Sequence, residues 1–373
     1  MIQLEPTVVI LLVGSTVAAS CALVGTFLVL RKMALLGDAI SHAVLPGIVI
    51  AFLISGDRST LPMVLGAAAL GVLTVFLVEM GTRTKRLRED ASIGVVFPAL
   101  FAIGVILIAK YAGQIDLDLD CVLYGEIAYT PWDVLFFDGQ NLGPKALWIN
   151  VTILFLDLVF VLLVYKELKI TTFDPELSAA LGISPVLVHY ALMSMLSVTV
   201  VGAFESVGAI LVVAMLVVPP ATAYLLTDQL SRMLLLSVVF GVGSALGGYY
   251  FARWLDASIA GAMATVAGLL FATVFLASPR HGLVAKLLRH RRLSLGMSEQ
   301  LLLLHLDRET ESSTLDTVRR RFSWRESYLG RIVRRLQGRG WIAVSDDGGV
   351  RLTADGSAAI ERTGQDSLRH VVS

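Results

Sequence analysis

Charge is scarce in this sequence. Only 16% of its 373 residues are Asp, Glu, Lys or Arg, against about a quarter in soluble domains. With 56% hydrophobic residues and a mean hydropathy of +0.76, the chain reads as a polytopic membrane protein with some soluble remainder. Cysteine is nearly absent. Cys21 and Cys121 lie far apart and neither belongs to a Cys-x-x-Cys pair, which excludes a zinc finger and a redox motif of that kind. No Gly-x-x-x-x-Gly-Lys-Ser/Thr stretch occurs, so the chain does not hold ATP by a P-loop. His-Glu-x-x-His and Gly-x-Ser-x-Gly are missing too, and no catalysis is inferred. No Lys or Arg precedes the first apolar run, which argues for a membrane helix there and against a cleaved signal peptide.

What is present is a series of apolar runs at about 7–30, 33–55, 61–81, 91–111, 147–165, 187–203, 207–226, 233–251 and 258–278. Each approaches the ~20 residues that a bilayer crossing needs. Lys and Arg gather after the first, third, fifth and ninth runs and before the eighth, all on one side if every run spans. The positive-inside rule makes that side cytoplasmic, with the N-terminus outside and the C-terminal region inside. The break between the sixth and seventh runs is expected around Gly202, Glu205 and Gly208, and another near Pro219-Pro220.

The most informative stretch lies at 33–47, MALLGDAISHAVLPG. Asp38 and His42 stand four residues apart in an otherwise apolar segment, one helical turn from each other on a shared face. Ionisable groups at membrane depth are costly and usually line an interior path. A carboxylate and an imidazole are also common ligands of divalent transition metals. The plainer reading is a hydrogen-bonded pair that joins two helices. Glu205 is a further candidate on the same path, and equally an ordinary interfacial carboxylate. Asp116, Asp118 and Asp120 alternate along the long outer connection at 112–146 and form a candidate cation entrance, although solvated loop charge explains them as well.

The cytoplasmic loop FDPELSAALG at 173–182 carries its own helix signals. Asp174 suits the N-cap, Pro175 the first helical position and Gly182 a left-handed terminus. A separately capped helix between spans reads as a docking element for a cytoplasmic partner.

The formal net charge of zero conceals an asymmetry. Residues 280–373 hold 17 basic and 11 acidic side chains, a balance of +6, and the rest of the chain balances at −6. Amphipathic helices are expected over 297–308, 314–323 and 326–338, the last with Leu329, Ile332, Val333 and Leu336 on one face. A Gly-containing turn then joins two strands over 341–352. Three helices and a hairpin make the winged-helix order. The chain is thus expected to be an all-α polytopic membrane protein of about nine spans with a small C-terminal α+β winged-helix domain. Its parts would be a membrane domain at 1–282, a basic juxtamembrane linker at 283–295 and a cytoplasmic domain at 296–373.

Together with 33–47 and 173–182, the strings EDASIGVVF at 89–97 and GAILVVAMLVVPPA at 208–221 resemble the ABC-3 membrane permeases of manganese, zinc and iron ABC importers. The resemblance covers nearly all of residues 5–280. It implies a second permease copy or paralogue, two P-loop ATPase subunits in the cytoplasm and an extracytoplasmic metal-binding protein. Asp38 and His42 would lie on the path of a transported Mn²⁺, Zn²⁺ or Fe²⁺, with no cofactor permanently bound. Phe173, Asp174, Glu176, Leu177, Ala180 and Gly182 would form the coupling helix. The C-terminal region departs from a minimal permease and resembles the DNA-binding module of iron- and manganese-dependent repressors, which favours manganese or iron. Arg325, Arg331, Arg334 and Arg335 are its candidate nucleic-acid or docking face, with docking or regulation favoured over DNA. The rival readings are a membrane-tethered, metal-sensing transcription regulator and a proton-coupled secondary transporter.

Overall fold

A computed structural model describes residues 5–43, 45–55, 60–83, 87–111, 127–137, 140–278, 282–308, 313–345 and 348–360. The chain divides into two compact units, Met1–Gly282 and Leu283–Ser373, each with its own hydrophobic core.

The first unit is a helical bundle. Its helices are α1 (Pro6–Leu30), α2 (Leu35–Ala43), α3 (Leu45–Ser55), α4 (Thr60–Arg83), α5 (Glu89–Tyr111) and α6 (Lys145–Leu163). They continue with α7 (Tyr165–Phe173), α8 (Pro175–Ala180), α9 (Pro185–Val207), α10 (Ala209–Tyr224), α11 (Leu230–Leu255) and α12 (Ile259–Ala277). Among the described residues, eight stretches are long and apolar enough to cross a membrane, with α2 and α3 together making one of them, and α10 is a shorter apolar helix. This is a multi-pass membrane protein.

Helix α1 occupies the centre. It is apolar on every side, as a helix surrounded by others must be, and every residue from 17 to 28 is buried. Helices α6, α9, α10 and α11 pack around it. Lipid supplies no hydrophobic drive between helices, so close approach at small residues has to hold such a bundle together. At Gly248 of α11 a Cβ would lie 2.2 Å from the Cα of Met263, and at Gly202 of α9 only 2.1 Å from Cδ1 of Ile153. Short polar links add to this packing. Thr26 meets Ser237 at 3.1 Å, Asn150 donates to Ser206 at 2.8 Å, and Tyr249 donates to Thr7 at 3.0 Å.

Two expected breaks are resolved differently. Helix α9 runs through Gly202 and Glu205 and stops only at Gly208, whose φ of 78° and ψ of 165° belong to a region that glycine alone enters readily. Helix α10 continues through Pro219 and Pro220 to Tyr224. Pro220 has no N–H to offer the carbonyl of Leu216. Gly25 of α1 packs directly on that carbonyl, so closely that a Cβ would stand 2.0 Å from its oxygen. The close backbone approach permits Cα–H···O contact where the helical bond is lost. The connection between α5 and α6 carries regular structure among its described residues. It contains an antiparallel hairpin of β1 (Val134–Phe137) and β2 (Gln140–Pro144) with a register irregularity between Val134 and Phe136.

The second unit starts with α13 (Leu283–Arg308) and continues with β3 (Ser313–Thr314), α14 (Leu315–Phe322), α15 (Glu326–Gly338), β4 (Ile342–Val344) and β5 (Gly349–Leu352). Residues 354–360 are helical. The strands form one antiparallel sheet in the order β3-β5-β4. Leu329, Ile332, Val333 and Leu336 of α15 are all buried against Leu302, Leu303, Leu306, Val318, Ile342 and Val350, so the helical periodicity read in the sequence marks the core face. The stretch at 283–295 forms the first half of one 26-residue helix. Its Leu, Ala, Lys and Arg favour helix, and the single Gly296 is too weak a breaker to stop it.

The Gly25 contact yields a stability prediction. Gly25→Ala should lower stability by about 2 kcal/mol or more, because backbone must move to admit the methyl. Gly243→Ala, where a Cβ meets nothing within 4 Å, should be neutral or slightly stabilising. Thermal unfolding of the two purified variants measures the difference.

Candidate functional site

The candidate site is built where α1 turns into α2. Lys32 takes a left-handed φ of 62°, the N–H of Met33 donates to the carbonyl of Leu28 at 2.9 Å, and that of Lys32 donates to Val29 at 3.1 Å. This paired bonding is a Schellman termination. It reverses the chain sharply and sends α2 back into the bundle.

Helix α2 is enclosed by α4, α5, α9 and α10. Leu36, Ala39, Ile40 and Ala43 are buried. Gly37 lies against Leu216, and Ile40 meets Gly71 of α4, which also faces Ser197 of α9. Asp38 is half-buried on this helix, and its carbonyl accepts from the Ser41 hydroxyl at 2.7 Å. The backbone of His42 lies on the same helix, so positions 38 and 42 are one turn apart; the His42 side chain is outside the described positions. No group of three or more metal-ligating side chains gathers among the described residues. A carboxylate inside an apolar bundle can contact a cation transiently and let it go, which suits a path better than a closed cage.

Glu205 is not brought to Asp38. It stands eight residues, or about 12 Å of helical rise, beyond Ser197, which is level with Ile40. Its carboxylate is 49% exposed and pairs with Lys145 at 3.0 Å. Asp116, Asp118 and Asp120 lie outside the described residues.

The element at 173–182 has the local structure its residues imply. The Asp174 carboxylate accepts from the Leu177 N–H at 2.9 Å, Pro175 opens α8, and Gly182 has a φ of 81°. The Ser178 hydroxyl donates to the Ile183 carbonyl at 3.1 Å. Phe173, Leu177 and Leu181 are 59%, 49% and 60% exposed, with Asp174, Glu176, Ala180 and Gly182 exposed beside them. Leu177 and Leu181 stand one turn apart on this element, and Phe173 lies just before the break at Asp174.

In the second unit, Arg325, Arg331 and Arg334 are exposed, while Arg335 is partly committed inward. Its Nε lies 3.0 Å from the buried carboxylate of Glu299, which also holds Arg339 at 3.1 Å. The exposed basic face of α15 holds Arg331, Arg334 and Arg335, the last 43% exposed and anchored to Glu299.

Several polar residues inside the bundle escaped the sequence reading. Asp157 of α6 is fully buried, accepts from Thr199 at 2.8 Å, and faces Ser20 and Cys21 of α1. Glu79 of α4 accepts from the hydroxyl of Tyr190, and Arg31 lies against His189. An acid inside an apolar run was the available signal for Asp157 and Glu79. Nothing local marks Arg31 and His189 as neighbours.

With this geometry in hand, comparison with known proteins is informative. A model of the ABC 3 transport family matches residues 3–278. The manganese transport system membrane protein MntD of Bacillus subtilis is 52% identical over 280 residues, spanning 75% of this chain and 95% of that protein. The zinc transport system membrane protein TroD of Treponema pallidum is 42% identical over 343 residues, 90% of this chain and 93% of that one. That alignment is longer than the first unit and so runs into the second. A solved structure of PsaBC from Streptococcus pneumoniae in complex with Fab superposes with a TM-score of 0.63 at 30% identity, covering 74% of this chain and 94% of that chain.

The cap of α8 is open to measurement. Asp174→Ala should loosen this short helix by about 1 kcal/mol, read as a roughly fivefold faster amide exchange at Leu177. Asp174→Asn should keep most of the protection.

Proposed function

The chain belongs to the ABC 3 transport family, and from that membership we propose that it is the membrane permease of an ATP-driven importer of divalent transition-metal ions. It is a transport subunit and not an enzyme: ATP hydrolysis falls to partner chains with their own P-loops. The observation that carries the reading is the buried helix α2, which holds Asp38 and the backbone of His42 inside the bundle that the family match covers. Among the metals, the names of the relatives point to manganese, zinc or iron, and the 52% identity to a manganese system protein favours manganese.

Asp38 and His42 would contact the ion in transit at the centre of the path. A second copy or a paralogue would supply the matching half, and an extracytoplasmic metal-binding protein would deliver the ion. The exposed Phe173, Leu177 and Leu181 offer an ATPase subunit an apolar edge to push, with Glu176 at its side. Positive-inside charge supports placing this element and the second unit in the cytoplasm and the N-terminus outside.

The second unit supports a winged-helix reading. Helix, strand, two helices and a hairpin follow in that order, and the first strand pairs with the last. We assign it a docking or regulatory role. The reach of the TroD alignment into this unit supports its belonging to the transport protein.

Uptake of radioactive Mn²⁺ tests the reading in cells that lack their own importer and express the chain with its ATPase and binding-protein partners. Wild type should restore uptake, while Asp38→Ala and His42→Ala should each abolish it with the chain still inserted in the membrane. Undiminished uptake by either variant would remove that residue from the path. The full chain should also leave operator DNA unshifted at physiological salt, and sequence-specific retention would favour the regulator reading.

A further inference from the structure

A cavity of about 310 Å³ opens beside the start of α2. Met33 and Leu36 line it from the α1–α2 turn, Val78, Glu79 and Thr82 from α4, and His189 from α9. The turn at Arg31 and Lys32 marks the basic end of the bundle, and Glu79 and His189 both lie four residues from helix termini at that end, about 6 Å of rise. Asp38 is two residues beyond Leu36, about 3 Å further along α2. Carboxylate, imidazole, thioether and hydroxyl thus converge on one space, one helical step from Asp38 but off the face that Asp38 occupies. One carboxylate and one imidazole, with a thioether and a hydroxyl beside them, can hold a divalent transition-metal ion weakly.

We propose that this cavity is the exit site of the path, where the cation passes from Asp38 to Glu79 and His189 before reaching the cytoplasm. The inference rests on the import reading. Arg31 gives the site its release step. One guanidinium nitrogen lies 3.4 Å from Nδ1 of His189, and because arginine only donates, that imidazole nitrogen is the acceptor. A metal ion would bind His189 through the same lone pair, so Arg31 and the ion compete for it. The guanidinium is also held by Thr171 at 2.9 Å and Thr172 at 3.1 Å. These are the two residues before Phe173, where the exposed docking element begins. Movement of that element is therefore transmitted through the two hydroxyls to Arg31. Withdrawal of Arg31 opens the imidazole to the ion, and its return displaces the ion and adds a repelling charge.

Electron paramagnetic resonance of Mn²⁺ bound to the full chain in detergent tests this, with Asp38→Ala in the background to silence the first contact. One weak Mn²⁺ site should persist. Adding Glu79→Gln should weaken it by about tenfold or more, the order of loss expected when a group supporting a metal site is removed. Adding Arg31→Gln should tighten it by about threefold or more. Tyr190→Phe removes the phenol that donates to Glu79 and leaves the carboxylate, so its loss of affinity should be clearly smaller than that of Glu79→Gln. Absence of any Mn²⁺ site in the Asp38→Ala chain overturns the proposal, and so does a Tyr190→Phe loss as large as that of Glu79→Gln, which would make Glu79 only a structural latch. Uptake separates this inference from the one it rests on. A wild-type assembly that binds Mn²⁺ here but imports none overturns the import reading alone, whereas full-rate import by Glu79→Gln overturns the exit site alone.

Discussion

A bilayer offers backbone groups no water, and the bundle is arranged around that constraint. Each crossing has to close its own hydrogen bonds, so helix is the available form, and every interruption needs a compensating neighbour. The contact between Gly25 and the Leu216 carbonyl shows the requirement at one point. Pro220 removes the donor that this carbonyl would have had. A glycine on the central helix is the residue that brings another backbone close enough to answer it. The same approach seats α10 against α1, and Leu216 then packs on Gly37 of α2. A missing N–H on one helix thereby helps position the helix that carries Asp38.

Burying α2 has two consequences of opposite sign. It surrounds Asp38 with low-dielectric material, which strengthens any interaction with a passing cation and makes a charge without a partner costly. It also requires the chain to reverse sharply where α1 gives way to α2. The turn at Lys32 places Arg31 and Met33 at the mouth of the inner cavity. The polar groups found there, Arg31, Glu79, His189 and Tyr190, come from α4, α9 and the end of α1 and meet only because those helices converge around α2.

The second unit follows the ordinary rules of a small soluble domain. Its core is one cluster of Leu, Ile and Val from three helices and the sheet, and the deeply buried acid Glu299 is held by two arginines. Removing either arginine would strand part of a buried charge, which costs more than the pair itself contributes. Arginines that a charge count assigns to a basic surface are in this way divided between surface and structure.

The amino-acid order alone determined the elements whose causes are local. Apolar runs of bilayer length set the crossings, the Asp174–Pro175–Gly182 signals set α8, and apolar spacing on α15 set its core face. The pairing of positions 38 and 42 was legible for the same reason, since four residues in a helix always make one turn. Breaks were less legible. Whether Gly202 or Pro219-Pro220 interrupts a helix depends on what packs against it, and Ile153 and Gly25 come from distant parts of the chain. Glu205 looked like a partner of Asp38 because both are acids in or near apolar runs, yet the rise of α9 carries it to Lys145. Only the tertiary structure decided these matters, together with the meeting of Arg31, Glu79 and His189. Contacts between residues more than a hundred positions apart are set by how helices cross, and no local periodicity encodes that crossing.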